Sequence, residues 1–373
     1  MSGSPDAGRV PCVLRESPED FVVEELPLYP AAGEGEHLFV TIEKRGIDTG
    51  RAKRHLSERL GVPVRDIGHA GLKDARAVTR QRLSLPGVEP AAALAVEVPG
   101  LRVLEAIRHP HKLRLGHLAG NRFDLALRGV APAHEEGLAA RWEELVATGV
   151  ANRFMDQRFG RHGDNAALGR LLAQGDEAAF REAARARGHR RPAAGLRRLL
   201  VSAWQASVFN QVLEERRSWP GGVGTVVEGD LAQRHDSGGL FLVEDGTVEA
   251  QRAARGEISA TGPLPGPRCR AAEGAQGELE AAVLAKEGVP PDAPALRGWG
   301  ARRALRARLG AASLSVEGDT VRLRFDLPPG SYATAVVDEL TAGGAREPER
   351  TPVPDRPRSG EPTEPPGQAQ EGP

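Results

Sequence analysis

Apolar residues recur at two different spacings along this chain, and the places where the spacing changes limit its architecture more than any other feature. Val321, Leu323, Phe325 and Leu327 alternate with Arg322, Arg324 and Asp326, and Phe123, Leu125 and Leu127 alternate with polar or small neighbours. This is the period of two of a strand with one buried face. Phe21 to Glu25 and Leu38 to Ile42 are further short strands, the second with Leu38, Val40 and Ile42 on one side. Between Thr148 and Gly300 the chain turns to Ala/Arg/Leu-rich segments with helical spacing. The clearest helix there is Ala203 to Arg217, with Val208, Phe209, Val212 and Leu213 on its apolar side and Trp219-Pro220-Gly221 after it. No fixed repeat is present, which argues against a solenoid. The expectation is an α+β fold in which a helical insert separates two sheet-forming parts.

Local signals fill in this outline. Thr49 is placed to cap a helix carrying Ala52, Leu56 and Leu60, which Gly61 stops. Val64 to His69 reads as the next strand and Gly262 to Pro267 as a loop. Leu327-Pro328-Pro329-Gly330 ends the last strand, and Ser331 is placed to cap a helix over Tyr332 to Leu340. Thr341 to Pro373 is dense in Pro, Gly and Glu and reads as a disordered tail, since it has too little apolar surface to offset its ordering entropy.

At 373 residues the chain is long enough for two domains. No apolar run approaches the ~20 residues that a membrane helix needs, and Met1 to Val10 does not resemble a secretory signal, so the expected location is the cytoplasm. Cys12 and Cys269 are the only cysteines, and neither they nor the 10 His form a metal-ligand pattern. The net charge of -1 averages over unevenly placed charges. From Arg102 to Arg122 five Lys or Arg face one Glu, and from Arg181 to Arg198 seven Arg face one Glu. Arg297, Arg302, Arg303, Arg306 and Arg308 form a third group. Each could be an ordinary solvated face. Together they point to a phosphate-binding surface, because clustered cations release counterions from a polyanion whatever the net charge.

The segment Gly68-His69-Ala70-Gly71-Leu72-Lys73-Asp74-Ala75-Arg76-Ala77-Val78-Thr79-Arg80-Gln81 carries the chemistry. Its glycines let backbone approach a ligand, Asp74 can act as nucleophile or general base, and Lys73 or another nearby cation can hold it as a carboxylate. On spacing alone, Lys-Asp beside Gly is far more often a turn with an exposed ion pair. The segment resembles the Gly-x-Lys-Asp-x-x-Ala-x-Thr-x-Gln signature of the TruD family of tRNA pseudouridine synthases. Ser17 to Glu25, Gly33 to Leu38 and Glu43-Lys44 are similar to that family's N-terminal block. Then come, in the family's order, His111 to Gly116, Gly120-Asn121-Arg122-Phe123, Gln157 to Gly160, Phe209-Asn210, Gly229-Asp230 and Leu327 to Thr334. The resemblance spans residues 11 to 340.

That resemblance implies a catalytic domain with a mixed, mainly antiparallel sheet, interrupted by a family-specific α/β insertion. Its parts are expected at 1–148 and 301–340 for the catalytic domain, 149–300 for the insertion and 341–373 for the tail. It implies isomerisation of a tRNA uridine, at position 13, to pseudouridine by a monomeric enzyme with no cofactor, metal or membrane partner. Asp74 is then the nucleophile and Arg15 its basic partner. Phe21, Asn121, Phe123 and Tyr332 contact the substrate, with Lys73 beside them. An amide such as Asn121 can read the edge of a flipped-out base. The two Phe could instead be core residues. Arg153 and Met155 depart from the family pattern Asn-Tyr-Phe-Gly-x. Two other functions are compatible with parts of the sequence: an RNA-binding or chaperone protein without catalysis, for which the basic runs suffice, and a hydrolase that would release uracil.

Overall fold

A computed structural model describes residues 8–160, 162–188, 193–290 and 293–348. The first part runs β1 (Cys12–Leu14), β2 (Phe21–Pro27), β3 (His37–Arg45), α1 (Thr49–Leu60), β4 (Gly68–His69), β5 (Val78–Pro86), α2 (Pro90–Leu94), β6 (Glu97–Val98), β7 (Leu101–His109) and β8 (Leu118–Arg128). The middle runs α3 (Glu135–Thr148), β9 (Val150–Ala151), α4 (Asn165–Gln174), α5 (Glu177–Ala186), α6 (Ala194–Arg217), β10 (Leu231–Arg234), β11 (Leu240–Leu242), α7 (Gly246–Ala254), β12 (Ile258–Leu264) and α8 (Gly274–Glu287). Then come β13 (Ala301–Ala304), β14 (Arg306–Ala307), β15 (Gly310–Glu317), β16 (Thr320–Leu327), α9 (Ala333–Thr341) and β17 (Ala345–Arg346).

Eleven strands make one sheet in the order β15-β16-β8-β2-β5-β3-β7-β6, with β1 against β8 and β17, and β4 against β5. Among the described residues, only the β2–β5 and β1–β17 pairings of this sheet are parallel. The fold is therefore α+β with a mixed, mainly antiparallel sheet. A second sheet, β11-β10-β12-β13, packs with α6, and β9 pairs with β14.

The alternation seen in the sequence becomes two apolar covers on the large sheet. Phe21, Phe123, Leu125, Leu127, Leu323 and Phe325 pack with Leu138 and Trp142 of α3 and Val336 and Leu340 of α9. Leu38, Val40, Ile42, Leu83 and Leu85 pack instead with Ala52 and Leu56 of α1 and Ala93 of α2. Registers join the strands into cross-sheet rows: Phe325, Phe123, Val23, Thr79 and Lys44 are successive neighbours in one. Leu327, Asn121 and Glu25 are neighbours in the next, and Gln81 pairs with Ile42 further across. Between the two apolar covers the sheet thus presents Glu25, Thr79, Gln81 and Lys44, all buried, with Asn121 at the edge of this polar seam.

Several local expectations are corrected. Asp48, not Thr49, caps α1, its Oδ1 accepting from the Arg51 amide at 2.7 Å. Thr49 is inside the helix and its hydroxyl is used elsewhere. Of Val64 to His69 only Gly68–His69 is strand, because Pro63 and Asp66 close a turn. Gly262 to Leu264 belong to β12 and not to a loop. The helix seen in Ala203 to Arg217 begins at Ala194, and Tyr332, not Ser331, precedes α9. The middle segment holds a sheet as well as helices. Its strands are short, and the longest, β12, is nearly all buried, so it lacks the alternation that marks a half-exposed strand.

Three of the five arginines in the third basic group are spent inside the protein, while Arg297 is exposed. Arg302 forms a two-armed pair with Glu280 at 2.7 Å and is 1% exposed. Arg306 is buried and donates to the carbonyls of Thr148, Gly224, Ala253 and Ile258. Arg303 lies 4.2 Å over the Phe154 ring and donates to the carbonyls of Asn152 and Gly330. These guanidiniums cross-link backbone that would otherwise hold unpaired carbonyls.

The boundary expected for the tail is also moved. Thr341 is buried within α9 and its hydroxyl bonds to Val337 O and accepts from the Ala345 amide. Gly344 passes so close to Val10 that a Cβ would lie 2.0 Å from the Val10 carbonyl oxygen, and Ala345–Arg346 then pair with β1. Residues 349–373 lie outside the described residues. Truncation after Pro348 should leave thermal stability unchanged, whereas truncation after Thr341 should cost about 1–3 kcal/mol by removing a strand and its ion pairs, as measured by urea denaturation.

Candidate active site

Residues 70–77 link β4 to β5, and their backbone lies over the polar seam. Three buried side chains hold it. The Lys44 ammonium donates to the carbonyls of Ile47 (2.8 Å), Lys73 (3.3 Å) and Asp74 (2.8 Å). The Lys73 amide donates to Thr49 Oγ1 at 2.9 Å, that hydroxyl donates to Gln81 Oε1 at 3.0 Å, and Gln81 Nε2 donates to the Gly71 carbonyl at 2.6 Å. Burial pulls Lys44 down to about 8, opposed by the nearby Asp74 and Asp48 carboxylates. Backbone that leaves a sheet must find new partners for its polar groups, and here the seam supplies them. The loop is fixed from below while its upper side stays open.

On that side Asp74 is 39% exposed, with Oδ1 accepting from the Arg76 amide at 3.1 Å. The Arg15 guanidinium is 3.5 Å from Asp74 Oδ2 and only 5% exposed. Arg15 follows β1 with φ 62°, a left-handed conformation uncommon for a side chain other than Gly or Asn. That backbone turns its guanidinium to lie 3.7 Å over the Phe21 ring, where the cation and the ring face attract. The structure thus brings Arg15 and Asp74 together.

Lys73 does not serve Asp74. Its ammonium lies 2.7 Å from Asn121 Oδ1 and 3.1 Å from Glu25 Oε2. Burial pushes the Glu25 carboxyl up, against the pull of Lys73 and Arg82. Phe21 and Phe123 meet edge to face at 6.2 Å, and Phe123 stacks on Phe325 at 5.5 Å; both are buried members of the core. Tyr332 packs with Phe154 at 6.1 Å. Arg15, Phe21, Lys73, Asp74 and Asn121 thus form one connected cluster, Phe123 lies beneath it, and the contacts of Tyr332 run toward α6 and β13.

Glu347 was not visible as a site residue. Its two oxygens lie 3.1 Å from Arg15 Nη1 and 3.1 Å from Arg76 Nη1, so the start of the C-terminal segment reaches the Asp74 side of the loop. Only the parallel pairing of β17 with β1 puts it there, and a segment rich in Pro, Gly and Glu carries no local signal of that pairing. Lys44 and Thr49 were missed for a related reason: each acts through backbone more than 20 residues away. The departure at Arg153 has a plain use, pairing with Glu214 at 2.5 Å and Asp338 at 3.7 Å and so tying α6 to α9. Asn210 clamps the Phe154 backbone with two hydrogen bonds, and Asp230 pairs with the buried Arg216 at 2.9 Å, so these two motifs serve packing. Among the described residues no group of three or more His, Cys, Asp or Glu could hold a metal ion, and no helix is long and apolar enough to cross a membrane.

Comparison with known proteins places this arrangement in context. The family described as tRNA pseudouridine synthase D (TruD) matches residues 5–187 and 185–340. The tRNA pseudouridine synthase D of Geobacter metallireducens is 42% identical over 390 residues, covering 89% of this chain and 95% of that protein. That of Anaeromyxobacter sp. strain Fw109-5 is 46% identical over 340 residues, covering 90% and 94%. The crystal structure of a Methanosarcina mazei protein assigned to the same class superposes with TM-score 0.73 at 26% identity, over 90% of this chain and 94% of that one.

The loop anchor yields a direct test. Lys44→Met removes a buried cation from three carbonyls and should destabilise the protein by about 2–4 kcal/mol, since hydrogen bonds to charged groups contribute about 1.5–3 kcal/mol each and the carbonyls are left unpaired. Urea denaturation measures this, and loss of under ~0.5 kcal/mol would contradict the anchor.

Proposed function

Because this chain belongs to the TruD family of tRNA pseudouridine synthases, enzymes that isomerise a uridine of tRNA, we propose that Asp74 is its nucleophile and position 13 of the tRNA D-arm region its target. The observation that carries the assignment is the position of the Asp74 carboxylate. It is the half-exposed end of a loop held rigidly by buried Lys44, Thr49 and Gln81, with a guanidinium 3.5 Å away. A nucleophile held by such a scaffold keeps its geometry without reorganising during the reaction.

The reaction detaches uracil from its ribose at nitrogen, rotates it and rejoins it through carbon. A carboxylate suits this because it can form and release an adduct with the target nucleotide, either an ester to the sugar or an adduct to the base. Arg15 balances the charge of the carboxylate, and Phe21, beneath the guanidinium, keeps Arg15 in place. Asn121 stands at the polar end of the β8 row that carries Phe123 and Leu125, where an extruded base could present its edge. On this reading Tyr332 contacts the substrate from the side of Phe154 and α6.

The same reading divides the chain into a catalytic part, 1–148 and 301–340, and an insertion, 149–300. Two sheets that share no strand support the division but shift its edges, since β13 (Ala301–Ala304) belongs to the small sheet and β17 (Ala345–Arg346) to the large one: the large one draws on residues 12–128 and 310–346, the small one on 231–304. For the tRNA track, the run Arg181 to Arg198 offers fewer free charges than its composition suggests. Arg181 and Arg197 pair with Glu177, Arg187 pairs with Asp164, and Arg190 and Arg191 lie outside the described residues. In the first run Arg102, Arg108 and Arg122 are likewise paired with acids. Lys112 and Arg114 are better placed, because their loop is docked beside the nucleophile by the Gly116 amide donating to the Ala70 carbonyl at 2.8 Å.

Two outcomes follow. Asp74→Asn should abolish pseudouridine formation in unmodified tRNA while leaving folding and tRNA affinity nearly intact, read by a base-specific adduct that blocks reverse transcription; residual turnover near wild type would remove Asp74 from the role. Changing Lys112 and Arg114 together to Ala should weaken binding similarly across tRNA species and reduce the slope of log affinity against log salt by about 1 to 2, since each phosphate contact contributes about 0.7–0.9. The turnover number at saturating tRNA should change little.

A further inference from the structure

Glu25 and Asn121 are direct cross-strand neighbours on β2 and β8, and Lys73 reaches onto that pair from the nucleophile loop. The side chains of Lys73 and Glu25 are 8% and 2% exposed, while Asn121 is only half-buried. An ammonium has three donors and no acceptor. The atom of Asn121 that faces it at 2.7 Å is therefore the carbonyl oxygen, since an amide nitrogen in that place would set donor against donor. The Nδ2 group is turned away from Lys73, and among the described residues no hydrogen bond from it to the protein is made. Glu25 makes the arrangement durable, because a buried ammonium without a counter-charge tends to lose its proton or to draw in water.

We propose that Lys73 is a positioning residue for substrate recognition: anchored on Glu25, it locks the Asn121 amide with its nitrogen outward, so that the site presents a hydrogen-bond donor to a carbonyl oxygen of the target pyrimidine. This rests on the reading of the Asp74 cluster as the place that receives a flipped-out uridine. An unlocked Asn amide would offer donor and acceptor equally and could accept from a ring or exocyclic N–H. The locked one favours bases that turn a carbonyl toward it and disfavours those that turn an amino group. Lys73 thus serves recognition, although it adjoins the nucleophile in sequence.

The test is a binding cycle with tRNA transcripts that carry uridine, 2-thiouridine or 4-thiouridine at the modified position. Sulfur is a poor acceptor, so each thio base removes one carbonyl acceptor. For the wild-type protein, one of the two thio substitutions should raise the dissociation constant about tenfold, the scale of one lost hydrogen bond. Asn121→Asp keeps the contact with Lys73 but has no donor. It should bind the uridine transcript about tenfold more weakly and lose sensitivity to that sulfur, to within twofold. Lys73→Met should lose most of the same sensitivity, because the amide can then turn. Since Lys73→Met strands Glu25, the double variant Lys73→Met with Glu25→Gln is measured beside it, with thermal melting to confirm that it folds. Undiminished sulfur sensitivity in the folded Lys73 variants would overturn the proposal, as would a wild-type protein indifferent to both thio bases. The cycle reads binding, so it stands apart from the Asp74→Asn test: turnover surviving that substitution would sink the nucleophile and leave the amide lock intact.

Discussion

The buried ammonium of Lys44 is the interaction on which the rest of the site depends. A charge in a protein interior is costly unless its hydrogen bonds are met, and here three carbonyls meet it, two of them from Lys73 and Asp74. The sheet would otherwise show a polar gap between its two apolar covers, and the loop would otherwise have carbonyls with no strand to bond. Each solves the other's difficulty. The consequence is an Asp74 loop whose position is set by side chains of β3, α1 and β5 and not by its own conformational preferences.

Above this anchor the charges are divided among partners by geometry. Arg15 takes Asp74 and Glu347, Lys73 takes Glu25 and Asn121, and Arg76 takes Glu347 again. Adjacent residues of one motif thereby acquire different duties, because Asp74 faces solvent while Lys73 reaches into the seam. The same principle removes Arg302, Arg303 and Arg306 of the third basic group from any RNA-facing surface: a guanidinium that cross-links carbonyls or pairs with a buried Glu280 has little capacity left for phosphate. Counting cations along a sequence therefore overstates the charge available to a polyanion.

Much of the architecture was legible before any coordinates. The alternation at Phe123 to Leu127 and Val321 to Leu327 marked neighbouring strands β8 and β16, since period two states which face is buried. The stop at Gly61 was legible because a left-handed residue at a helix end favours glycine. Illegible were β12, whose residues are nearly all buried and so show no period, and β17, whose two residues are strand only because Gly344 lets them approach Val10. Within the site, the ordered motifs singled out Asp74 and Asn121 and the resemblance implied Arg15, but nothing gave the anchoring duty of Lys44 or Thr49 or any sign of Glu347.

The sequence by itself determined the elements with one buried face, the order of the motifs and the residue types that could do chemistry, because these depend on local spacing and on side-chain chemistry. Tertiary structure alone decided that Lys73 turns to Glu25 and Asn121 and not to Asp74, which way the Asn121 amide points and that the chain's C-terminal segment joins the sheet at β1. Such pairings bring together groups tens to hundreds of residues apart. Their strength falls steeply with separation and with exposure to water, so only the folded geometry selects one partner from the many that composition allows.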